Sequence, residues 1–296
     1  MTIIIDSSHD INEEQVRELI EVCHEENYLL GILKSNKLIC KHIAYIEGKL
    51  VGLIMAWKND FHPYCTYFRL LTNPLYNSSE IESKLYARLG KQNLPLQTSI
   101  WETATNLKQF YESRGFIEIR RTYMPVLKVD AVHEDLWIVE NRSIKTLKAV
   151  LVNPPLKTKL LQFVRKTYKE THLDNPVAEK SLEEWENLLL DDVLVDGSFI
   201  YLDTFEFGWS GSVRFDFLQC LLIKQIHYAK ERNVQFLQGE FDTTSPYAMF
   251  SLRILPFDPC PTWVTYQNKF NDRNEGETFW SNMKMKLLKF SKAPYI

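Results

Sequence analysis

At 296 residues the chain is about twice the length of a typical single domain, so two units of roughly 130 to 150 residues are expected. With 45% hydrophobic, 25% charged and 13% aromatic residues it has the composition of a folded globular protein, which excludes a disordered or fibrous chain. A net charge of −3 leaves no electrostatic footprint for nucleic acid, so no nucleic-acid partner is expected.

The opening MTIIIDSSHDINEEQ has no basic segment before its short apolar run. No apolar stretch approaches the ~18 residues of a membrane span, so neither secretion nor membrane insertion is expected. TIIID reads as a strand. Asp10, three residues before Glu13, gives a capping-box pattern ahead of an apolar stripe at Ile11, Val16, Leu19, Ile20 and Cys23, which predicts a helix. Residues 40–58 alternate and then run apolar around Glu47-Gly48-Lys49, the pattern of a hairpin. CTYFRLLT is a further strand, SSEIESKLYARLGK a helix stopped at Gly90, and LQTSIWET a strand. NLKQFYESRG is a helix stopped at Gly115, and FIEIRRTYMPVLKV a closing strand.

Pro154-Pro155 and a change of pattern between residues 130 and 155 mark a boundary, giving units of 1–130 and 131–296. The second unit opens with helices at LKTKLLQFVRKTYKE and around Trp185. The strands DDVLVD, SFIYLDT and FEFGW follow, then the long helix RFDFLQCLLIKQIHYAKER, the strand VQFLQGEF, the helix PYAMFSLRIL and the strand TWVTYQNKF. Residues 102–116 and 240–257 share one plan of strand end, polar turn, helix and a phenylalanine opening the next strand, an internal repeat at a spacing near 140 residues. Residues 279–296 set Trp280, Met283, Leu287 and Phe290 on one helical face with lysines around it. Such a helix either docks on its own domain or lies on an anionic membrane or in a partner's groove.

This element order, with Tyr111 four residues before Gly115-Phe116, resembles the GNAT superfamily of acetyl-CoA-dependent N-acetyltransferases. The two halves together resemble the tandem GNAT arrangement of mycothiol-synthase-like enzymes. The implied fold is α/β (α+β), a mixed, twisted and splayed sheet flanked by helices in each half. The implied co-substrate is acetyl-CoA, lying in the splay with its pyrophosphate at the N-terminus of the central helix. A helix N-terminus suits an anion because its first N–H groups are unpaired and its dipole is positive there. In the first half Glu80 and Glu82 stand where the superfamily's loop has glycines, and either Ser78 or Ser79 can cap the helix instead. In the second half Trp209, Ser210, Gly211, Ser212, Val213 and Arg214 precede the long helix. They read either as a coenzyme cradle or as a capped strand-to-helix turn.

The resemblance implies that Tyr111 is the tyrosine that protonates the departing thiolate, unless it merely packs on the sheet; Leu252 and Pro256-Phe257 occupy the corresponding places in the second half. Amine acetylation also needs a base, and Glu206, Glu240 and Asp242 lie at predicted strand ends with Tyr247 just beyond, although a surface position accounts for any one of them. The five cysteines are odd in number, scattered and never Cys-x-x-Cys, and His62 with Cys65 lacks further ligands. No metal or disulfide framework is expected, and reduced cytoplasmic thiols fit. The leading expectation is a cytoplasmic transferase acting on an amine of a small molecule or peptide, with the second half active. The alternative is a non-catalytic GNAT-like module with decayed coenzyme sites that binds a ligand or protein. The acceptor and the oligomeric state are not readable from the sequence.

Overall fold

A computed structural model describes residues 2–7, 12–76, 78–90, 92–133, 144–189, 193–195, 198–202 and 206–268. Asp10 and the C-terminal amphipathic segment lie outside them.

The first half runs β1 (Ile4–Asp6), α1 (Glu13–Val22), α2 (Tyr28–Leu33), β2 (Leu38–Ile46), β3 (Lys49–Trp57), β4 (Thr66–Thr72), α3 (Ser78–Leu89), β5 (Leu96–Trp101), α4 (Thr105–Glu112), β6 (Ile117–Tyr123) and β7 (Val126–Lys128). Local chemistry accounts for most boundaries. Asn12 caps α1, its side chain accepting from the Glu14 and Gln15 N–H groups. The β2–β3 hairpin turns on Glu47 and Gly48, both at positive φ, as a two-residue loop of matching twist requires. Gly115, at φ +79°, stops α4 while the Phe116 N–H bonds back to the Tyr111 carbonyl at 3.1 Å. The six-residue helix α2 was not anticipated from the sequence.

The second half runs β8 (Lys145–Thr146), α5 (Leu147–Leu151), α6 (Pro154–Thr171), α7 (Leu182–Glu186), β9 (Val193–Val195), β10 (Ser198–Leu202), β11 (Glu206–Ser212), α8 (Phe215–Glu231), β12 (Phe236–Gly239), β13 (Phe241–Asp242), α9 (Pro246–Ile254) and β14 (Thr262–Asn268). Pro154 opens α6, where its missing N–H costs no helical bond, and Asn153 caps it. Ser181 and Glu184 form a reciprocal capping box on α7.

The described strands form two sheets, ordered β1-β2-β3-β4-β5-β14-β6-β13 and β7-β12-β11-β10-β9-β8. The halves exchange strands. β14, the last strand of the second half, inserts between β5 and β6 of the first, pairing antiparallel with both. The expected single strand 116–129 breaks at Met124-Pro125, and its second piece, β7, pairs with β12 in the other sheet. β12 and β13 likewise leave one sheet for the other. Separate clusters fill each half: Val51, Phe68, Ile81 and Tyr111 in the first, Phe207, Leu221, Ile226 and Leu237 in the second.

Candidate acyl-transfer cleft

Each sheet contains one parallel pair flanked by a helix, and each pair is joined over only two residues before it splays. β4 and β5 pair at Thr66–Leu96 and Tyr67–Gln97; β11 and β12 pair at Glu206–Gln238 and Phe207–Gly239. The two splays are filled differently.

In the first half Arg69 of β4 crosses the gap. Its guanidinium donates to the Ser99 carbonyl at 2.6 Å and to Glu25 at 3.2 Å, and lies 5.0 Å over the Trp263 ring of β14. Tyr111 has no exposed surface; its ring meets Phe68 edge-on at 5.7 Å, and burial pushes its phenol well up. Glu82 is buried under the end of β4 and accepts from the Thr72 hydroxyl at 3.2 Å, whereas Glu80 is exposed and pairs with Lys84 at 2.8 Å.

In the second half the splay opens into a pocket of about 210 Å³. A β-bulge shifts the β10–β11 register between Leu202–Phe207 and Ile200–Ser210, so one extra residue bends β11 where the strands part. Glu206, Glu240 and Asp242 line the pocket with Tyr168, His172 and Trp209. Glu240 reaches solvent at the mouth, yet most of its surroundings are protein. That burial, with Asp242 and Glu206 nearby, holds its carboxyl above the ordinary glutamate range. Asp242 accepts from the Thr122 hydroxyl and lies 3.5 Å from Arg120, which also reaches Asp174 at 3.6 Å. Ser210, only 7% exposed, lines the pocket, and its hydroxyl has no partner among the described residues.

His172 stacks flat on Tyr168 at 3.8 Å. Its Nδ1 lies 3.0 Å from the Tyr168 carbonyl, which can only accept, so Nδ1 carries the hydrogen and Nε2 the lone pair. Burial, reinforced by Arg120, lowers its pKa to about 4, keeping the ring neutral near pH 7. The Tyr168 hydroxyl donates to His62 Nε2 at 3.1 Å, and His62 Nδ1 donates to the Pro176 carbonyl at 3.2 Å. Cys65 bonds Asn175 at 3.5 Å, and burial pushes its thiol up to about 12. His62 and Cys65 therefore tie the two halves together.

The expected Ser210–Ser212 turn is strand: all three residues pair with β10, and the connection to α8 is only Val213 and Arg214. The Ser212 hydroxyl accepts from the Arg214 N–H at 3.1 Å. Arg214 occupies the N-cap of α8 without capping it, and its exposed guanidinium grips Asp216 at 2.7 and 2.9 Å. Tyr247, at the start of α9, packs 6.1 Å from the Phe215 ring in the first turn of α8. The sequence reading singled out Glu206, Glu240 and Asp242 at strand ends, which the structure gathers around one pocket, but missed Tyr168, His172 and Arg120. The i, i+4 spacing of Tyr168, in the last turn of α6, and His172, its C-cap, was the available signal.

No protein-family model and no curated protein matches the sequence. Solved structures do. A GCN5-related N-acetyltransferase from Sphaerobacter thermophilus aligns with 90% of this chain and 95% of its own, at 12% identity and a TM-score of 0.58. A tandem GNAT protein from the clavulanic acid biosynthesis pathway, solved without AcCoA, aligns with 90% and 98%, at 12% identity and a TM-score of 0.56. The chain therefore has the GNAT fold in tandem arrangement, with mixed, twisted sheets flanked by helices. Among the described residues no helix is long and apolar enough to cross a membrane.

Proposed function

We propose that the chain is an N-acetyltransferase that moves an acetyl group from acetyl-CoA to an amine of a small molecule or peptide, in the second half. The observation that carries this reading is the open, bulged splay of β11 and β12 with carboxylates around it. The GNAT fold supports the reaction class.

In this reading Gly211 and Ser212 flank the thioester arm of acetyl-CoA, with Trp209 and Ser210 where that arm meets the acceptor pocket. Val213 and Arg214 meet its diphosphate at the start of α8, where no side chain caps the helix. Arg214 must then exchange Asp216 for phosphate, a small cost for an exposed pair. Glu240 serves as base: its raised affinity for a proton suits it to take one from the acceptor ammonium, directly or through a water. The freed amine attacks the thioester carbonyl, the C–S bond breaks as the C–N bond forms, and the thiolate takes a proton from Tyr247. Glu206 and Asp242 hold the acceptor. The first half, with Tyr111 packed in its core, is structural. Free thiols at all five cysteines fit a reducing, cytoplasmic setting.

Calorimetric titration of the full chain with acetyl-CoA and free CoA, followed by thiol release in the presence of amines, tests the reading. Binding of coenzyme with amine-dependent thiol release is the expected outcome. Absence of any coenzyme binding leaves the non-catalytic alternative.

A further inference from the structure

The acceptor pocket has a chemistry of its own. Three carboxylates, Glu206, Glu240 and Asp242, face a space walled by the rings of Tyr168 and Trp209. The nearest buried cation, Arg120, is already shared between Asp242 and Asp174. Glu240 makes no hydrogen bond or ion pair among the described residues. A second, independent feature points to a hydrogen-bonding ligand: the nine-tenths-buried Ser210 lines the pocket, and its hydroxyl has no partner among the described residues. His172 adds a neutral ring whose Nε2 can only accept.

Aromatic walls distinguish an organic cation from a metal ion. Ring faces attract alkylammonium groups and pack their methylenes, whereas a hard divalent ion needs several converging oxygen ligands. Among the described residues no group of three His, Cys, Asp or Glu side chains is gathered so as to hold a metal. The number of carboxylates then bears on the ligand's charge. An amine that reacts must lose its proton, and a monoamine would lose its whole electrostatic hold at that moment. A second ammonium would keep the ligand in place.

We infer that the pocket between β11 and β12 binds a small aliphatic diamine or polyamine, one nitrogen at Glu240 and a second cationic nitrogen held by the remaining carboxylates and ring faces. The inference rests on reading this pocket as the acceptor site.

The test is calorimetric titration of the full chain, without coenzyme, using 1,4-diaminobutane and spermidine, with 1,4-butanediol as the neutral isostere. Saturable binding of the amines is expected, with at least tenfold weaker or no binding of the diol. Glu240→Gln and Ser210→Ala should each weaken the amines several-fold while thermal melting shows both variants folded. Equal binding of the diol, no saturable amine binding, or amine affinity unchanged in both folded variants overturns the inference. Amine binding that persists while acetyl-CoA fails to bind sinks the transferase reading and leaves the amine site standing.

Discussion

The two halves hold the same parallel strand pair, and one has been closed while the other stays open. In the first half β3 and β4 keep one uninterrupted register from Gly52–Thr72 to Trp57–Tyr67, and Arg69 bridges the splay from Glu25 to the Ser99 carbonyl. In the second, one extra residue bulges β11, and the gap becomes a pocket. The contrast shows that this fold's cleft is decided by a few side chains at the strand ends rather than by the strand order, which both halves share. A filled cleft adds stability. An open one keeps the Glu240 carboxylate in costly surroundings.

Severing the halves should have the largest effect. A chain beginning at residue 144 lacks β7 and both neighbours of β14, so its β12 edge and the whole of β14 lose their ladders. It is expected to lose cooperative unfolding by circular dichroism. A sharp thermal transition in that fragment would show that strand exchange is dispensable.

Next in size is Arg69→Ala. Arg69 and Glu25 have side chains only 10% and 8% exposed, and removal of the guanidinium strands a buried carboxylate. A loss of about 3–5 kcal/mol is expected in denaturant unfolding. A loss below about 1 kcal/mol would mean that water reaches Glu25 and the first cleft is not sealed.

Glu240→Gln sharpens the comparison from the open side. If Glu240 is the base, kcat should fall roughly 100-fold or more. Stability should move the other way. Glu240 is raised in the folded protein, so it binds its proton more tightly folded than unfolded, and that favourable contribution is lost as pH rises through the raised value. The variant should therefore melt higher than wild type at pH 7, with the difference gone below about pH 4, where the unfolded glutamate is also protonated. In wild type, activity should fall as pH drops through the same raised value. Equal melting temperatures at both pH values would place Glu240 in water rather than in a protein-walled cleft.

A smaller effect is expected at the helix start. Arg214→Ala should weaken acetyl-CoA by about tenfold, one charged contact, and Asp216→Asn should strengthen it by freeing the guanidinium. Opposite signs in calorimetry are the criterion. Glu80→Gly combined with Glu82→Gly should produce no coenzyme binding in the first half, because Arg69 and Tyr111 still occupy its splay. New binding there would mean that the two carboxylates alone had closed the site.

The sequence by itself determined what depends on near neighbours. Asparagine and serine caps, proline at the first helical turn, the Glu47-Gly48 hairpin and the glycine stop at Gly115 set the elements, and their repeated order carried the likeness to the GNAT fold. It also put Glu206, Glu240 and Asp242 at strand ends, where both strands and carboxylates are recognisable locally. Three things were decided only in the folded chain. TWVTYQN has the alternation of any half-buried strand, and nothing within it says that it pairs with β5 and β6 rather than with its own half. Pairing is a contact between residues about 170 positions apart, such as Gln97 with Gln267. Arg69 and Tyr111 carry polar groups that could serve a site, and only the approach of Glu25, Phe68 and Trp263 turns them into filling. Tyr168 and His172 read as an ordinary helix face until α6 comes to rest against the bulged strand and gives that face a pocket to line.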